Sequence, residues 1–554
     1  MNRTTLSLIA AATALAAITG FAAVTAPDPT DPAASAKAAA RLPVERSSLL
    51  CPAPSTSELA ETVYTSFTPA GTAGAGTGGA AELAPSAAAL ADEAPADDEK
   101  KPDDEQPDGE ESDSGATDDE AAGDAATDED AAGDEAAGDE EKKPAADGTG
   151  TADPKPKPFL ALKEPGKPVS GSNKTAEAPA LVGTATGSLA PGWTAQQTTT
   201  ITAGDSRALL GAACTAPDTD FWFPGASTDK SRQDYVHLTN PDDTAAVADI
   251  ALYGKEGNLK SDRGEGVTVP ARSSVPVLLA TLTGEAEPDV TVHVSTRTGR
   301  VGAVVNASDD KAGGDWLAAA ADPAPRAVLP GIPADATSVH LVAFAPGEDD
   351  AELKVQLVGE TGTIVPTSAA APLTVKSGMT AALDLGDLTK GEAGSLLVSP
   401  AEGGDQTPVV AALRVVRGKG TDQEIAFIPA TGAVTERATV ADNRAKGSTL
   451  SLTAPGETGK VKVTASAGSG GGEPAVKSYT VKGGTTQAVV PPVPGGLKGS
   501  YALTVEPESG GPVHAARTLA LTQDGVPLFT VQTLPNDRGM VSVPATKEDL
   551  SVLK

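Results

Sequence analysis

Two cysteines are the residues whose placement most directly suggests chemistry. Cys51 precedes Pro52, and Cys214 lies three residues before Pro217. In an exported chain, which the N-terminus indicates, a lone pair of cysteines usually forms a disulfide. We therefore predict a Cys51–Cys214 disulfide, with two free buried thiols as the alternative. A catalytic cysteine needs a histidine partner, and the sequence marks none.

The four histidines all fall in or beside predicted strands. His237 and His340 occupy matching strands of two copies of a repeat, and His293 and His514 lie near other short apolar runs. Matching repeat positions are more simply explained by the structure of the repeat than by separate chemistry. A zinc site would also need more ligands nearby. We predict no metal site, no cofactor and no catalytic residue.

Paired carboxylates are the remaining catalytic candidates. Asp242 and Asp243 form one pair, and Asp349 and Asp350 form another. Glycoside hydrolysis requires two carboxylates held roughly 5–10 Å apart across a cleft. Each pair falls in a predicted turn, where solvated acids are ordinary. An accessory carbohydrate-active enzyme of envelope glycan metabolism therefore remains the alternative interpretation.

Large aromatic side chains are scarce, at 3% of the chain. Trp222 belongs to a hydrophobic stretch that resembles a buried strand. Trp316, in contrast, follows Gly313-Gly314-Asp315 between two copies of the repeat. Exposed aromatics stack on sugars or anchor partners. We predict Trp316 as a possible surface contact.

A repeat of about one hundred residues positions these side chains. Three proline–glycine pairs keep a spacing of thirteen residues: Pro241 and Gly254, Pro346 and Gly359, Pro455 and Gly468. Each pair follows a hydrophobic-Pro-small opening, at Phe223-Pro224-Gly225, Leu329-Pro330-Gly331 and Ile428-Pro429-Ala430. Each precedes a short apolar strand, at Val267-Thr268-Val269, Leu373-Thr374-Val375 and Tyr479-Thr480-Val481. A fixed internal period indicates a modular architecture.

Each repeat contains about seven short alternating segments separated by turn residues, which is typical of a β-sandwich. Helical periodicity is essentially missing from residues 180–554. We predict an all-β chain of tandem immunoglobulin-like β-sandwich modules with an N-terminal hydrophobic segment and a disordered acidic insert. The predicted modules span 219–310, 324–418 and 424–536, with a split N-terminal β module at 45–70 and 178–218 and a C-terminal strand or tail at 537–554.

The position of the last opening leaves the module boundaries undecided. Leu534-Pro535 lies 106 residues after Pro429, the same interval that separates Pro224 from Pro330. This dipeptide therefore either opens a repeat that is not completed or follows a strand that closes the third module. The hydrophobic-Pro-small opening could equally mark the boundary between modules.

Residues 71–177 are predicted to be a disordered insert rich in Ala, Gly, Pro and acids. Between Asp92 and Glu141 there are 24 acidic residues and two lysines, which account for 22 of the 33 net negative charges and leave −11 elsewhere. A segment of such charge with few branched or aromatic residues does not offset the entropy of ordering. Because the sequence contains no basic stripe, we predict no nucleic-acid partner.

The N-terminus indicates export. After Met1-Asn2-Arg3, the chain runs uncharged from Thr4 to Pro27. Residues 1–26 are therefore either a cleaved signal peptide or a retained N-terminal membrane anchor, because the uncharged run approaches the roughly 20 residues that span a bilayer. Membrane contact is expected only through residues 4–26 if they are uncleaved. In both cases the body of the protein lies outside the cytoplasm, secreted or anchored.

Several of these segments together resemble a known family. Cys51-Pro52, Cys214 with Pro217, Phe221-Trp222-Phe223-Pro224-Gly225 and Leu238-Thr239-Asn240-Pro241 are similar to an uncharacterised family of actinobacterial exported or membrane-anchored proteins, classed as a domain of unknown function. The resemblance covers nearly all of the chain outside residues 71–175. It implies a cell-envelope role, because members lie near genes of envelope glycosyltransferases, and it implies no catalytic residues. The acidic insert departs from the family pattern.

The sequence therefore predicts a non-enzymatic exported cell-envelope protein whose tandem β-sandwiches serve as a spacer or a binding scaffold. Its expected partners are a cell-wall glycan or another envelope protein.

Overall fold

A computed structural model describes residues 40–71, 76–88, 157–202, 207–261, 263–523 and 525–543. The predicted export segment and the acidic tract Asp92–Glu141 lie outside these residues. The described part of the chain contains no α-helix, and its short 3-10 turns are Gly187–Leu189, Leu279–Thr281, Thr367–Ala369 and Gly420–Asp422. In this part no helix has the length and apolar character needed to cross a membrane.

Four β-sandwich modules make up the described residues. The N-terminal module contains β2 (Arg46–Cys51), β3 (Ala60–Phe67), β4 (Ala81–Pro85), β6 (Leu160–Leu162), β7 (Val169–Asn173), β8 (Leu181–Thr186), β9 (Thr194–Ile201) and β10 (Ala208–Ala213), preceded by β1 (Ala40–Pro43). The short β5 (Ala87–Ala88) follows β4 in the chain but pairs in parallel with Ser273 and Ser274 of module 1. Module 1 contains β11 (Asp220–Ala226), β12 (Arg232–Thr239), β13 (Ala246–Gly254), β14 (Gly257–Leu259), β15 (Val267–Val269), β16 (Ser273–Leu278), β17 (Val290–Thr298), β18 (Gly302–Asp309) and β19 (Gly313–Leu317).

The other two modules follow in the same way. Module 2 contains β20 (Ala327–Ile332), β21 (Ala336–Phe344), β22 (Ala351–Val358), β23 (Thr363–Ile364), β24 (Leu373–Val375), β25 (Thr380–Gly386), β26 (Gly394–Pro400), β27 (Val410–Arg417) and β28 (Glu424–Pro429). Module 3 contains β29 (Ala438–Asn443), β30 (Ser448–Ala454), β31 (Gly459–Ala465), β32 (Gly471–Glu473), β33 (Ala475–Val481), β34 (Thr485–Val489), β35 (Gly495–Lys498), β36 (Tyr501–Gly510), β37 (His514–Gln523) and β38 (Val526–Thr533), followed by β39 (Met540–Val543).

All four modules share one antiparallel strand order. One sheet is β2-β8-β4-β6 in the N-terminal module, β11-β17-β13-β15 in module 1, β20-β26-β22-β24 in module 2 and β29-β36-β31-β33 in module 3. The second sheet is β10-β9-β3-β7, β19-β18-β12-β16, β28-β27-β21-β25 and β38-β37-β30-β34 in the same modules. The predicted all-β class with tandem β-sandwich modules is therefore confirmed. We call β10, β19, β28 and β38 the closing strands, because each is the last strand of its module.

Alternating burial explains why the repeated segments form strands. Along β13 every second residue is buried, from Ala246 to Gly254, so one face packs into the core while the other faces outward. The proline of each proline–glycine pair lies one or two residues after the second strand of its module, and the glycine ends or follows the third strand. The three short apolar segments downstream pair with those third strands, as β15 with β13, β24 with β22 and β33 with β31.

Two boundaries differ from the prediction. The insert assigned to 71–177 is too wide, because β4, β6 and β7 lie within it and complete the two sheets of the N-terminal module. Their Gly- and Ala-rich composition hides the alternation, since only Leu83, Leu160 and Leu162 provide large buried side chains. The predicted ends of modules 1 and 2, at residues 310 and 418, also come one strand too early, because β19 and β28 complete these modules.

The third hydrophobic-Pro-small segment, Ile428-Pro429-Ala430, is not equivalent in the structure to the first two. Phe223-Pro224 and Leu329-Pro330 lie in β11 and β20, the first strands of their modules. Ile428-Pro429 instead lies in β28, which pairs with β27 and closes module 2. Leu534-Pro535 comes directly after β38, the closing strand of module 3. Apolar-Pro pairs therefore occur at two different positions of a module, in its first strand or at the end of its closing strand.

The modules contact one another in a closed cycle. The closing strand β10 packs against β19, β19 against β28, β28 against β38 and β38 against β10. The first strand of each module also packs on the next: β11 on β21 and β27, β20 on β30 and β37, β29 on β3 and β9, and β2 on β18. The described modules therefore form a ring in which module 3 meets the N-terminal module.

Both ends of the described chain meet at this closing joint. β1 pairs antiparallel with β39, so that Ala40 lies opposite Val543. The amide of Val44 donates to the carbonyl of Gly539 at 3.0 Å, and Arg41 forms an ion pair with Glu436. The two-stranded pairing fastens the ring where its first and last modules join.

Candidate functional site

The predicted disulfide is confirmed. Cys51 ends β2 in one sheet, and Cys214 follows β10 in the other sheet of the same module. Their Cα atoms are 4.4 Å apart, and the bridge joins residues separated by 163 positions. Both cysteines are buried within the N-terminal core. The bond therefore ties together the two halves of a module that the acidic segment interrupts.

The prediction that Trp316 offers a surface contact is wrong. Its side chain is 3% exposed and packs with Ile201 and Leu210 of the N-terminal module. The ring of His237 meets it edge-on, with centroids 5.2 Å apart. Trp316 lies in β19, a closing strand, so its partner is the neighbouring module of the same chain.

His237, His293 and His340 are engaged by neighbouring side chains, and His340 of module 2 reaches across a joint to module 1. His340 contacts Asp289 at 3.0 Å, and His293 contacts Asp220 at 2.7 Å while stacking on Trp222. Burial lowers the pKa of His237 to about 4. His237 and His340 do occupy equivalent strands, β12 and β21. Within the described residues, no group of three or more His, Cys, Asp or Glu side chains could hold a metal ion.

The acid pairs of the predicted turns are held by local partners. Arg300 forms an ion pair with Asp242 at 3.0 Å, and Arg272 pairs with Asp243. The hydrogen bond from Arg272 lowers the pKa of Asp243. Asp350 accepts a hydrogen bond from the Ser377 amide at 2.8 Å. Asp242, Asp243 and Asp350 thus act as turn and surface groups.

A buried polar cluster lies where the four closing strands meet. Asp315 of β19 accepts a 2.9 Å hydrogen bond from the Gly211 amide of β10, and its Oδ2 atom has no hydrogen-bond partner among the described residues. Glu424 of β28 is 1% exposed, and its Oε2 atom is likewise unpartnered there. Burial raises the pKa of Asp315, and burial with the nearby charge of Asp315 raises that of Glu424 to about 9 against the opposing effect of Arg207. The cluster can hold protons, but it is enclosed by protein.

A solvent-facing cleft of about 460 Å³ opens at the joint between module 3 and the N-terminal module. The N-terminal module contributes Glu61, Val63, Ser170 and Thr200 to its lining. Module 3 contributes Asp442, Arg444, Ser469, Gly499 and Ser500. The volume falls within the roughly 300–1,000 Å³ typical of small-molecule sites. Most lining side chains are polar, so the cleft suits a ligand that forms many hydrogen bonds.

Hydroxyl groups from both modules meet along one wall. Ser170 Oγ lies 2.9 Å from Ser500 Oγ and 2.9 Å from Thr65 Oγ1. The Ser500 amide donates to Ser469 Oγ at 3.2 Å. A Cβ atom on Gly499 would come within 2.2 Å of Ser469 Oγ, so the close approach of the two loops requires glycine there. Because hydroxyls both donate and accept, this wall can adapt to either role in a ligand.

Asp442 is a further lining residue of the cleft. It is 1% exposed, its Oδ1 atom has no hydrogen-bond partner in the described part of the chain, and its Oδ2 atom lies 3.4 Å from Arg444. Its φ of +53° is in the left-handed region, which residues other than glycine rarely adopt. Behind it lies the buried guanidinium of Arg517, whose charge interacts with Asp442 and whose pKa burial lowers to about 10.

Sequence reasoning missed Asp442, although the repeat contained a signal for it. The first strand of each repeated module has an irregularity in its pairing, between Pro224 and Ala226, Pro330 and Ile332, and Val440 and Asn443. Glycine takes a positive φ at this irregularity in modules 1 and 2, whereas module 3 has an aspartate. Alignment of Ile428-Pro429 with the other openings concealed this exchange.

Residues 169–492 match a family of unknown function (DUF5719), which covers more than half of the chain. The chain therefore belongs to this family. The matched residues run from β7 of the N-terminal module into module 3, and so include most of the ring. No curated protein and no solved structure matches.

Proposed function

We propose that this chain is a non-enzymatic protein of the cell envelope, in which the ring of β-sandwiches is a rigid binding scaffold. The observation that carries the proposal is the closed cycle of contacts among the four closing strands. Such a cycle holds the loops and sheet edges of four modules in fixed relative positions, and preformed surfaces bind with a smaller entropic cost.

The ring favours a scaffold over a spacer. Because β1 pairs with β39, the two ends of the folded body lie side by side. A spacer needs its ends far apart, as they would be if sandwiches followed one another in a row. We propose instead that the folded body presents a binding surface near one attachment point.

Placement outside the cytoplasm is supported by two features. The Cys51–Cys214 disulfide is of the kind that persists in oxidising compartments. The N-terminal sequence has the pattern of a signal peptide or membrane anchor. We propose a cell-wall glycan as the partner in preference to another envelope protein, because the cleft at the closing joint is lined mainly by hydroxyl-bearing and charged residues.

The carbohydrate-active alternative receives less support. It relied on the turn acids, and Asp242, Asp243 and Asp350 are engaged by Arg300, Arg272 and the Ser377 amide. A binding role needs no such acid pair.

Fractionation and pull-down test the proposal. The full chain, expressed in its native host, is expected in the envelope or culture fraction and accessible to protease added to spheroplasts. The purified oxidised chain should retain a neutral glycan from a solubilised cell-wall fraction without releasing new reducing ends. Recovery of the chain in the cytoplasm, absence of glycan retention, or release of reducing ends would overturn the proposal.

A further inference from the structure

We propose that the cleft between module 3 and the N-terminal module is a binding site for an uncharged saccharide with adjacent hydroxyl groups. The inference rests on the proposed binding role and names its site. Asp442 and Arg444 would hydrogen-bond one edge of the sugar, and the hydroxyls of Ser170, Ser469 and Ser500 would bind the other.

The joint that contains the cleft differs from the joint between modules 1 and 2 and from the joint between modules 2 and 3. A Cβ atom on Gly331 would lie 2.9 Å from Ala516 Cβ in the next module, and one on Gly225 would lie 3.8 Å from Val342 Cγ2. Those joints are thus filled by direct packing of the bulge against its neighbour. At the equivalent bulge in module 3, the chain has Asp442 beside an open cleft.

Asp442 is costly to keep in this position. A non-glycine residue at positive φ stores backbone strain, which recurs at functional sites. A buried carboxylate oxygen without a hydrogen-bond partner adds a desolvation penalty. Oδ1 is itself buried, so a ligand hydroxyl would reach it only once the Arg444 side chain has moved aside, and its donation to Oδ1 would then remove that penalty. Asp442 therefore has the features of a residue retained for binding.

Arg444 provides access to this carboxylate. Its guanidinium is 3.4 Å from Asp442 Oδ2 and its side chain is 33% exposed. Charge-assisted hydrogen bonds are usually about 2.7–2.9 Å long. The pair is therefore loose, and Arg444 can swing toward solvent and donate to a sugar oxygen while a hydroxyl replaces it at Asp442.

The charges of the cleft select an uncharged ligand. Asp442 is accompanied by Arg444, and Glu61 is accompanied by Lys174 at 3.4 Å. Each carboxylate thus has its own cation at the cleft, and the additional positive charge of Arg517 is fully buried behind Asp442 and not exposed to a ligand. The hydroxyl wall of Thr65, Ser170 and Ser500 provides matched donors and acceptors. A ligand that is both uncharged and rich in hydroxyl groups fits this lining, and a neutral saccharide has both properties.

The test uses the full oxidised chain and two probes. Saturation-transfer NMR and calorimetric titration would be carried out with maltohexaose and with the neutral oligosaccharides released from a cell wall. A hexamer of galacturonic acid serves as the acidic comparison. We expect binding of a neutral probe in preference to the acidic one. Absence of binding by both neutral probes, or preference for the acidic hexamer, would overturn the inference.

Matched variants locate the site. Asp442→Asn keeps the shape of the side chain and tolerates the left-handed conformation, and Ser500→Ala removes one hydroxyl. Each should weaken binding about tenfold, the effect of losing one good hydrogen bond. Ser170→Ala tests the wall of the other module in case a module 3 variant fails to fold. Ser478→Ala, whose hydroxyl bonds Glu508 outside the cleft lining, is the control and should bind normally.

The outcomes separate this inference from the proposed function. If the wild-type chain retains cell-wall glycan and all three cleft variants do so equally well, the cleft is not the site while the scaffold role stands. If the chain binds maltohexaose in the cleft but is found in the cytoplasm, the site stands and the envelope role fails.

Discussion

At the scale of single residues, the two carboxyl groups at the centre of the ring carry the clearest energetic consequence. Glu424 is buried beside Asp315, and burial followed by the charge of Asp315 raises its pKa to about 9. An unfolded glutamate titrates near pH 4.5. Between these values the folded chain keeps a proton that the unfolded chain has released. The contribution of Glu424 to the free energy of unfolding is therefore fully present below about pH 4.5 and is lost as the pH rises toward about 9.

We predict that Glu424→Gln makes the chain less sensitive to alkaline pH. The amide removes the titration, which alone reduces the unfolding free energy by up to about 1.4 kcal/mol per pH unit. Urea denaturation at about pH 5 and about pH 8 should show a smaller difference for the variant than for the wild type. Glu506→Gln, which removes a partly exposed carboxylate paired with Lys462, is the control and should keep the wild-type slope. An unchanged slope in Glu424→Gln would contradict the prediction.

Residue type and position in the chain were sufficient to predict the pairing of the two cysteines, but they gave the wrong exposure for Trp316. A lone cysteine pair has few alternatives in an exported chain, so Cys51–Cys214 could be predicted. Trp316 looked exposed because it lies between two repeats along the chain. Its environment depends on the N-terminal module, which is distant in sequence and contacts β19 only through the closed ring.

At the scale of elements, the bulge in the first strand of modules 1 and 2 determines how closely each module approaches the next. Gly225 and Gly331 both have φ values of +97°. The site of a Cβ atom on Gly331 is crowded by Ala516 of module 3, whereas that on Gly225 has ordinary contact distance to Val342. The same backbone turn therefore has different tolerance to a side chain at two consecutive joints.

We predict that Gly331→Ala lowers the free energy of unfolding by about 2–4 kcal/mol, from left-handed strain and overpacking together. Gly225→Ala is the matched control, because it has the strain without the clash and should cost about 1–2 kcal/mol. Urea denaturation of both variants measures the difference. Equal losses would show that the close approach at Gly331 is not part of the joint.

The strands themselves were largely predictable, and their grouping was not. Alternation of apolar residues identified β12 and β13, because one sheet face is buried in each. Alternation does not distinguish a first strand from a closing strand, since both bury one face. Ile428-Pro429 was therefore placed in the wrong module, and the Gly- and Ala-rich β4 was assigned to the disordered insert.

At the scale of the whole molecule, the cores of the modules are shared across the joints. The core of module 2 includes Ala516, Phe529 and Val531 of module 3. The core of module 1 includes Ile425 and Phe427 of module 2. Removing one module would expose part of the core of its neighbour.

We predict that the described modules unfold together. Scanning calorimetry of the full oxidised chain should show one main transition with matching calorimetric and van't Hoff enthalpies. Phe529→Ala, at the joint of modules 2 and 3, should lower the midpoint of that whole transition. Separate transitions for the modules, or a shift confined to one of several transitions, would contradict the shared-core interpretation.

Local pattern in the sequence was enough to determine the β class, the period of the repeat, the disulfide partners and the strand positions of His237 and His340. These depend on alternation, turn residues and composition, which act over a few neighbouring residues. Only the tertiary structure decided that the modules close into a ring, that Trp316 is buried, and that Asp442 faces a cleft between the first and last modules. Each of those outcomes depends on contacts between residues one hundred or more positions apart, whose free energy is set by shape and packing at the joints.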